Sequence, residues 1–239
     1  MSGTLIKASR FFVLATGRMH SITAKYARML DIPSDEYIIS YNGAMLRQVD
    51  AEQAVVEHRL GVEESAYLIG FAREHNYHLN YYYNDTLYTT RHDAWADLYR
   101  QRTHCQSEYV GDLGRFAGKR PIKCIILNHK EIILSLFRVM QIHCGTKTQV
   151  MITDDEYLEF MAPEATKGNA LADLATRLDI KQEECLAFGD GNNDISMLQW
   201  AGTGYAMSNG RVAILNEIPN HAESNDADGV AKIIESILN

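Results

Sequence analysis

Residues 186–198 read LAFGDGNNDISML. The apolar run Leu186–Phe188 has the character of a buried strand. It ends in a glycine-rich turn that carries Asp190 and Asp194, and a helical pattern follows. In an open α/β sheet, the carboxyl ends of strands and the helix N-termini after them face the ligand crevice. Two carboxylates held there are poorly placed for stability, because a crevice desolvates them. They suit a hard cation such as Mg²⁺, which prefers oxygen ligands and keeps several of its waters. The loop lacks the glycine spacing of a dinucleotide fingerprint, and no GxxxxGK[ST] phosphate loop occurs in the chain.

The bulk numbers narrow the field. A length of 239 residues allows one large domain or two modest ones, and 46% hydrophobic content is enough for a sizeable core. A net charge of −8 argues against nucleic acid or an anionic membrane as the main partner. No apolar run reaches the roughly 20 residues of a membrane helix, and the short FFVLA run followed at once by TGR leads us to expect no secretory leader. The four cysteines are scattered without CxxC spacing. They read as free thiols in a reducing, cytoplasmic setting.

Apolar strand patterns alternate with amphipathic helical ones, the mark of βαβ units and a parallel sheet. FFVLAT (11–16) and YIISYN (37–42) read as strands, with a helix over SITAKYARML between them. The segments 44–48 and 54–60 look like a hairpin. Near residue 61 the texture becomes mixed α/β: a helix over 62–75, a tyrosine-rich strand–turn–strand over 78–90, then helices and strands to about 160. In an alternating strand Tyr81 and Tyr83 share one face and Tyr82 takes the other. They could pack within their own domain or form a platform for a ligand. The expected organisation is therefore a first domain over 1–60 and 161–239, interrupted by a second over 61–160.

Two further strand ends carry chemistry. In VLATGR (13–18), Thr16 follows a buried strand and Gly17 lets the backbone turn. A hydroxyl and backbone N–H groups in such a turn make a phosphate cradle. In PEATKGNAL (163–171), Lys167 stands at a helix start, where the dipole disfavours a cation unless a phosphate lies between them. There it can act as a point charge on phosphoryl oxygens.

In this order, VLATGR, YNGA, the inserted block, ATKG, GDGNND and the tail AMSNG…ESNDADGVA resemble the haloacid dehalogenase (HAD) superfamily, in particular its Cof-type phosphatases. The resemblance covers nearly the whole chain. It implies a Rossmann-like α/β core, a parallel sheet with helices on both faces, into which an α/β cap is inserted. It also implies Mg²⁺-dependent hydrolysis of small phosphorylated metabolites such as sugar phosphates. By position, Thr16 and Lys167 resemble catalytic residues, and Asp190 and Asp194 the metal ligands. Gly17, Arg18, Asn42, Gly43 and Asn193 resemble the phosphate- and substrate-binding set. A phosphate-binding module without turnover, a protein-binding module and a sugar phosphomutase are the alternatives.

One departure bears on activity. The family opens with a strand ending in DxDGTL, whose first aspartate attacks phosphorus and whose second serves as acid and base. Here Gly3, Thr4 and Leu5 resemble the end of that motif, but Met1 and Ser2 precede them and no acidic residue occurs before Asp31. Only Ile6–Val13 separate GTL from LATGR. The expectation is a truncated form that lacks the first core strand, both catalytic acids and most of the first helix, and that is inactive as written.

Overall fold

The computed structural model describes residues 11–238. The expected loss of a first core strand falls on the start of the chain, outside the described residues. The fold divides into two compact units. One comprises the chain up to Gly17, Thr23–Val55 and Thr166 onward; the other comprises Arg18–Ile22 and Val56–Ala165.

In the first unit, β1 (Leu14–Ala15) runs parallel to β2 (Tyr37–Ser40), with Leu14 opposite Ile38 and Ala15 opposite Ile39. β3 (Met45–Gln48) returns antiparallel to β2. A second sheet is parallel throughout, in the order β11 (Leu186–Gly189), β12 (Thr203–Met207), β13 (His221–Ala222). Among the described residues, β1 pairs only with β2 and β11 only with β12. Helices α1 (His20–Met29), α5 (Lys167–Arg177), α6 (Ile195–Trp200), α7 (Val212–Glu217) and α8 (Gly229–Leu238) alternate with these strands. The apolar cores fit the sequence pattern. Ala24, Ala27 and Ile32 pack with Ile38 beneath the first sheet, and Ala187, Leu198, Ala206 and Ile214 gather around the second.

Two expected strands are shorter than their hydrophobicity suggests. FFVLAT forms a ladder only at Leu14–Ala15, the two residues paired with β2. YIISYN stops at Ser40, because Tyr41 (φ 51°), Asn42 (φ 55°) and Gly43 (φ 96°) are all left-handed and turn the chain. Asn and Gly adopt that region readily; a buried tyrosine does so at a cost of about 1–2 kcal/mol.

The second unit carries β4 (Val56–Glu57) and is built on a six-stranded sheet. Its order is β7 (Ser107–Tyr109), β6 (Thr86–Thr89), β5 (His78–Tyr83), β8 (Lys123–Leu127), β10 (Tyr157–Met161), β9 (Gln149–Asp154). All neighbours are antiparallel except β6 and β7. One face packs on α2 (Val62–Glu74) and α4 (Lys130–Cys144) through Leu68, Leu79, Ile126, Ile133, Leu158 and Phe160. The tyrosines alternate. Tyr81 and Tyr83 join that core, whereas the Tyr82 hydroxyl donates to Tyr99 on α3 (Ala94–Thr103). His78 is buried, with its Nδ1 2.9 Å from the Asp93 carboxylate and its Nε2 3.0 Å from Asn80 Oδ1. Burial pushes the Asp93 carboxyl up, but the Ala96 N–H, His78 and Arg91 outweigh it and hold it below the usual range.

The short segment Arg18–Ile22 joins this unit through contacts that no local sequence pattern announces. The Asp85 carboxylate accepts the N–H groups of His20 (3.1 Å) and Ser21 (2.9 Å), and Met19 Sδ lies 3.0 Å from Cys105 Sγ. All four cysteines are free thiols, and burial raises the Cys105 thiol to about 11. Among the described residues, no helix is long and apolar enough to cross a membrane.

Candidate phosphate and metal site

Three chain segments of the first unit converge. The first is the end of β1. The Thr16 N–H donates to Ile39 O (2.9 Å), and Thr16 O accepts from the Asn42 N–H (2.9 Å), so the turn after β1 is sewn to the turn after β2.

The second is the start of α5. Thr166 caps this helix by accepting the Asn169 N–H at 3.1 Å, which leaves Lys167 as its first residue. Gly43 packs directly against this cap: a Cβ there would lie 2.1 Å from Thr166 O. Gly43→Ala combines that clash with a left-handed φ, and we expect it to destabilise the fold by more than about 2 kcal/mol in denaturant titration.

The third is the acidic loop. The chain leaves β11 at Gly189, turns through Asp190–Asn193 and enters α6. Asp194 is 4% exposed, and both its oxygens are engaged. Oδ2 accepts the N–H groups of Asp190 (3.0 Å) and Gly191 (2.9 Å), which folds the loop back on itself. Oδ1 pairs with Lys167 Nζ at 2.5 Å. Gly189 is small because Asp194 Cβ occupies the space its own Cβ would need, at 2.4 Å. Arg211 N–H holds the far side of the loop through Asp190 O (3.0 Å).

Lys167 is 5% exposed, and its ammonium also donates to Ala15 O at 3.0 Å. An ammonium has three donors. Two are used by Ala15 and Asp194, and among the described residues the third has no protein partner. Asp190 contrasts with Asp194: it is exposed, and its carboxylate has no hydrogen bond or ion pair among the described residues. Asn193 donates from Nδ2 to Asn42 Oδ1 at 2.8 Å. Gly17 is close-packed on the same amide, with its notional Cβ 2.7 Å from Asn42 Oδ1.

Of the nine residues singled out from the sequence, Thr16, Gly17, Asn42, Gly43, Lys167, Asp190, Asn193 and Asp194 belong to this one unit. Arg18 is exposed and groups with the other. The sequence reading overlooked Ala15, whose carbonyl holds the lysine. It also overlooked Ser196, whose hydroxyl accepts the Gly168 N–H at 3.2 Å and ties α5 to α6. A backbone carbonyl leaves no trace in residue type. The serine sits in a helical apolar pattern, where it reads as an ordinary surface position.

A Mg²⁺ ion fits the acids present. The unpartnered Asp190 carboxylate is a hard oxygen donor beside a second carboxylate, and Mg²⁺ is commonly held by one or two carboxylates, with water filling the rest of its shell. Among the described residues, no group of three or more His, Cys, Asp or Glu gathers as a fuller ligand set.

An α/β core interrupted by a mixed α/β unit, with lysine and paired acids at strand ends, defines a class of hydrolases. The haloacid dehalogenase-like hydrolase family matches residues 4–234, and the chain belongs to it. Bacillus subtilis (strain 168) YxeH is 27% identical over 229 residues, covering 95% of this chain and 85% of that protein. Phosphatase YwpJ of the same organism is 26% identical over 257 residues, covering 95% of this chain and 87% of that protein. A crystal structure of a haloacid dehalogenase-like hydrolase from Bacteroides thetaiotaomicron superposes with a TM-score of 0.88 at 25% identity, covering 99% of this chain and 91% of that one.

Proposed function

We propose that this site serves Mg²⁺-dependent hydrolysis of small phosphomonoesters, sugar phosphates among them. The observation that carries the proposal is the pairing of a buried lysine, with one donor unspent, and an exposed, unpartnered aspartate one loop away. The relatives named as phosphatases support the reaction class.

The chain's own residues divide the work. Asp190, with Asp194 beside it, would hold the metal. When bound, Mg²⁺ neutralises charge on phosphoryl oxygens and orients the ester. Lys167 presents its third N–H to a phosphoryl oxygen, and Asp194 keeps that ammonium charged and in place. The turn at Thr16 and Gly17 and the Asn42–Gly43 turn form the wall against which a phosphoryl group rests. No aspartate or glutamate precedes Asp31, so these 239 residues carry no DxD pair ahead of β1. By themselves they would hold the ligand with negligible turnover.

Calorimetry with Mg²⁺ and inorganic phosphate tests the reading directly. Both should bind the 239-residue chain. Asp190→Asn should weaken Mg²⁺ at least about tenfold, roughly 1.4 kcal/mol. Lys167→Met should weaken phosphate while leaving a folded protein. A wild-type chain that binds neither ligand would remove the site's assigned role.

A further inference from the structure

Asn42 is fastened on three sides. Its N–H donates to Thr16 O at 2.9 Å, Gly17 closes over its side chain, and its Oδ1 accepts from Asn193 Nδ2 at 2.8 Å. The residue is 3% exposed and left-handed, the middle of three consecutive residues with positive φ. Strain of this kind persists where the surrounding structure over-determines it, and it collects at functional turns. The Asn42–Asn193 bond joins positions 151 apart in sequence. It is a direct side-chain link between the turns after β1 and β2, which form the phosphate wall, and the acidic loop.

We infer that Asn42 is a positioning residue: its carboxamide fixes Asn193 and thereby couples phosphate binding to metal binding. The inference rests on the function proposed above and deepens it. Asn193 lies over Gly191, where a Cβ would come within 2.5 Å of Asn193 Oδ1, so its side chain covers the residue next to the metal-side Asp190. With Nδ2 committed to Asn42, Asn193 cannot turn without breaking the link. Ordering of one loop by its ligand is therefore felt at the other. Such coupling is reciprocal by thermodynamic necessity.

The test measures Mg²⁺ affinity with and without saturating inorganic phosphate, and phosphate affinity with and without Mg²⁺. In the wild-type chain each ligand should tighten the other by about fivefold or more, the lower end of common site–site couplings. Asn42→Gly removes the amide at a φ that glycine adopts freely, so the backbone is not strained by the change. Its coupling should fall below about twofold whatever happens to either affinity alone. Asn193→Ala should lose the same coupling, and the double variant should lose no more than either single one, the non-additivity expected of one shared contact. Asn42→Asp keeps an acceptor for Asn193 Nδ2 and should retain the coupling. Undiminished coupling in Asn42→Gly, or losses that simply add in the double variant, would overturn the inference and leave the proposed function standing. A wild-type chain that binds neither ligand overturns both.

Discussion

Extending the chain at its N-terminus, so that an Asp-x-Asp-Gly-Thr segment runs into Leu5, should raise phosphate release by about 10⁶ over the 239-residue chain, the order of loss seen when a hydrolase nucleophile is removed. That factor corresponds to about 8 kcal/mol of activation barrier. The reason lies in what the present residues can and cannot do. On the function proposed above, Lys167, Asp190 and the Thr16 turn neutralise and orient a phosphoryl group, but none of them is the attacking carboxylate of the family's DxD motif. The attack and the proton transfer to the leaving group both need acids that this sequence lacks before Asp31. Release of phosphate from a panel of sugar phosphates and p-nitrophenyl phosphate checks the prediction, with activity abolished by chelation and restored by Mg²⁺. An extended protein that folds, binds Mg²⁺ and stays inert across the panel would exclude the hydrolase reading.

Much of this site can be read from residue order, because its parts sit where strands end. LAFGD, VLAT and YIIS each carry a clear apolar run, and each run is followed by the polar turn that bears the chemistry. The helix starting at Lys167 is likewise announced by Thr166, a good cap, followed by an amphipathic pattern. What the sequence hides is long-range. Nothing local says that Ala15 O and Asp194 will bracket Lys167, because those contacts span 152 and 27 positions. The Ser107–Tyr109 and His221–Ala222 strands are too short and too polar for periodicity to register. The left-handed Tyr41 is equally invisible: tyrosine favours strands, and only the following Asn-Gly hints at a turn. The placement of Arg18–Ile22 with the second unit depends on Asp85, 64 positions after Ser21. Its sequence looks like the ordinary beginning of a helix.

Asp194→Ala should destabilise the chain by about 3–5 kcal/mol, the cost of removing one partner from a buried ion pair. That is a large share of the roughly 5–15 kcal/mol that holds a typical domain together. The side chains of Asp194 and Lys167 are each 6% exposed, so neither charge can recover its lost partner from solvent. The two ends of the pair are unequal. Lys167→Met leaves a carboxylate that still accepts the Asp190 and Gly191 N–H groups, so the acidic loop keeps its fold. Asp194→Ala strands the ammonium and leaves two part-buried N–H donors without their acceptor, a loss of up to about 1–3 kcal/mol each. The aspartate variant should therefore be the less stable of the two by roughly 2 kcal/mol or more. Asp194→Asn offers little rescue, because every neighbour of that side chain is a donor and the new NH₂ group would face one of them. Chemical denaturation of the three variants gives the ranking. If Lys167→Met proves the most damaging, the lysine's bond to Ala15 O, and not the carboxylate's hold on the loop, is what keeps the site together.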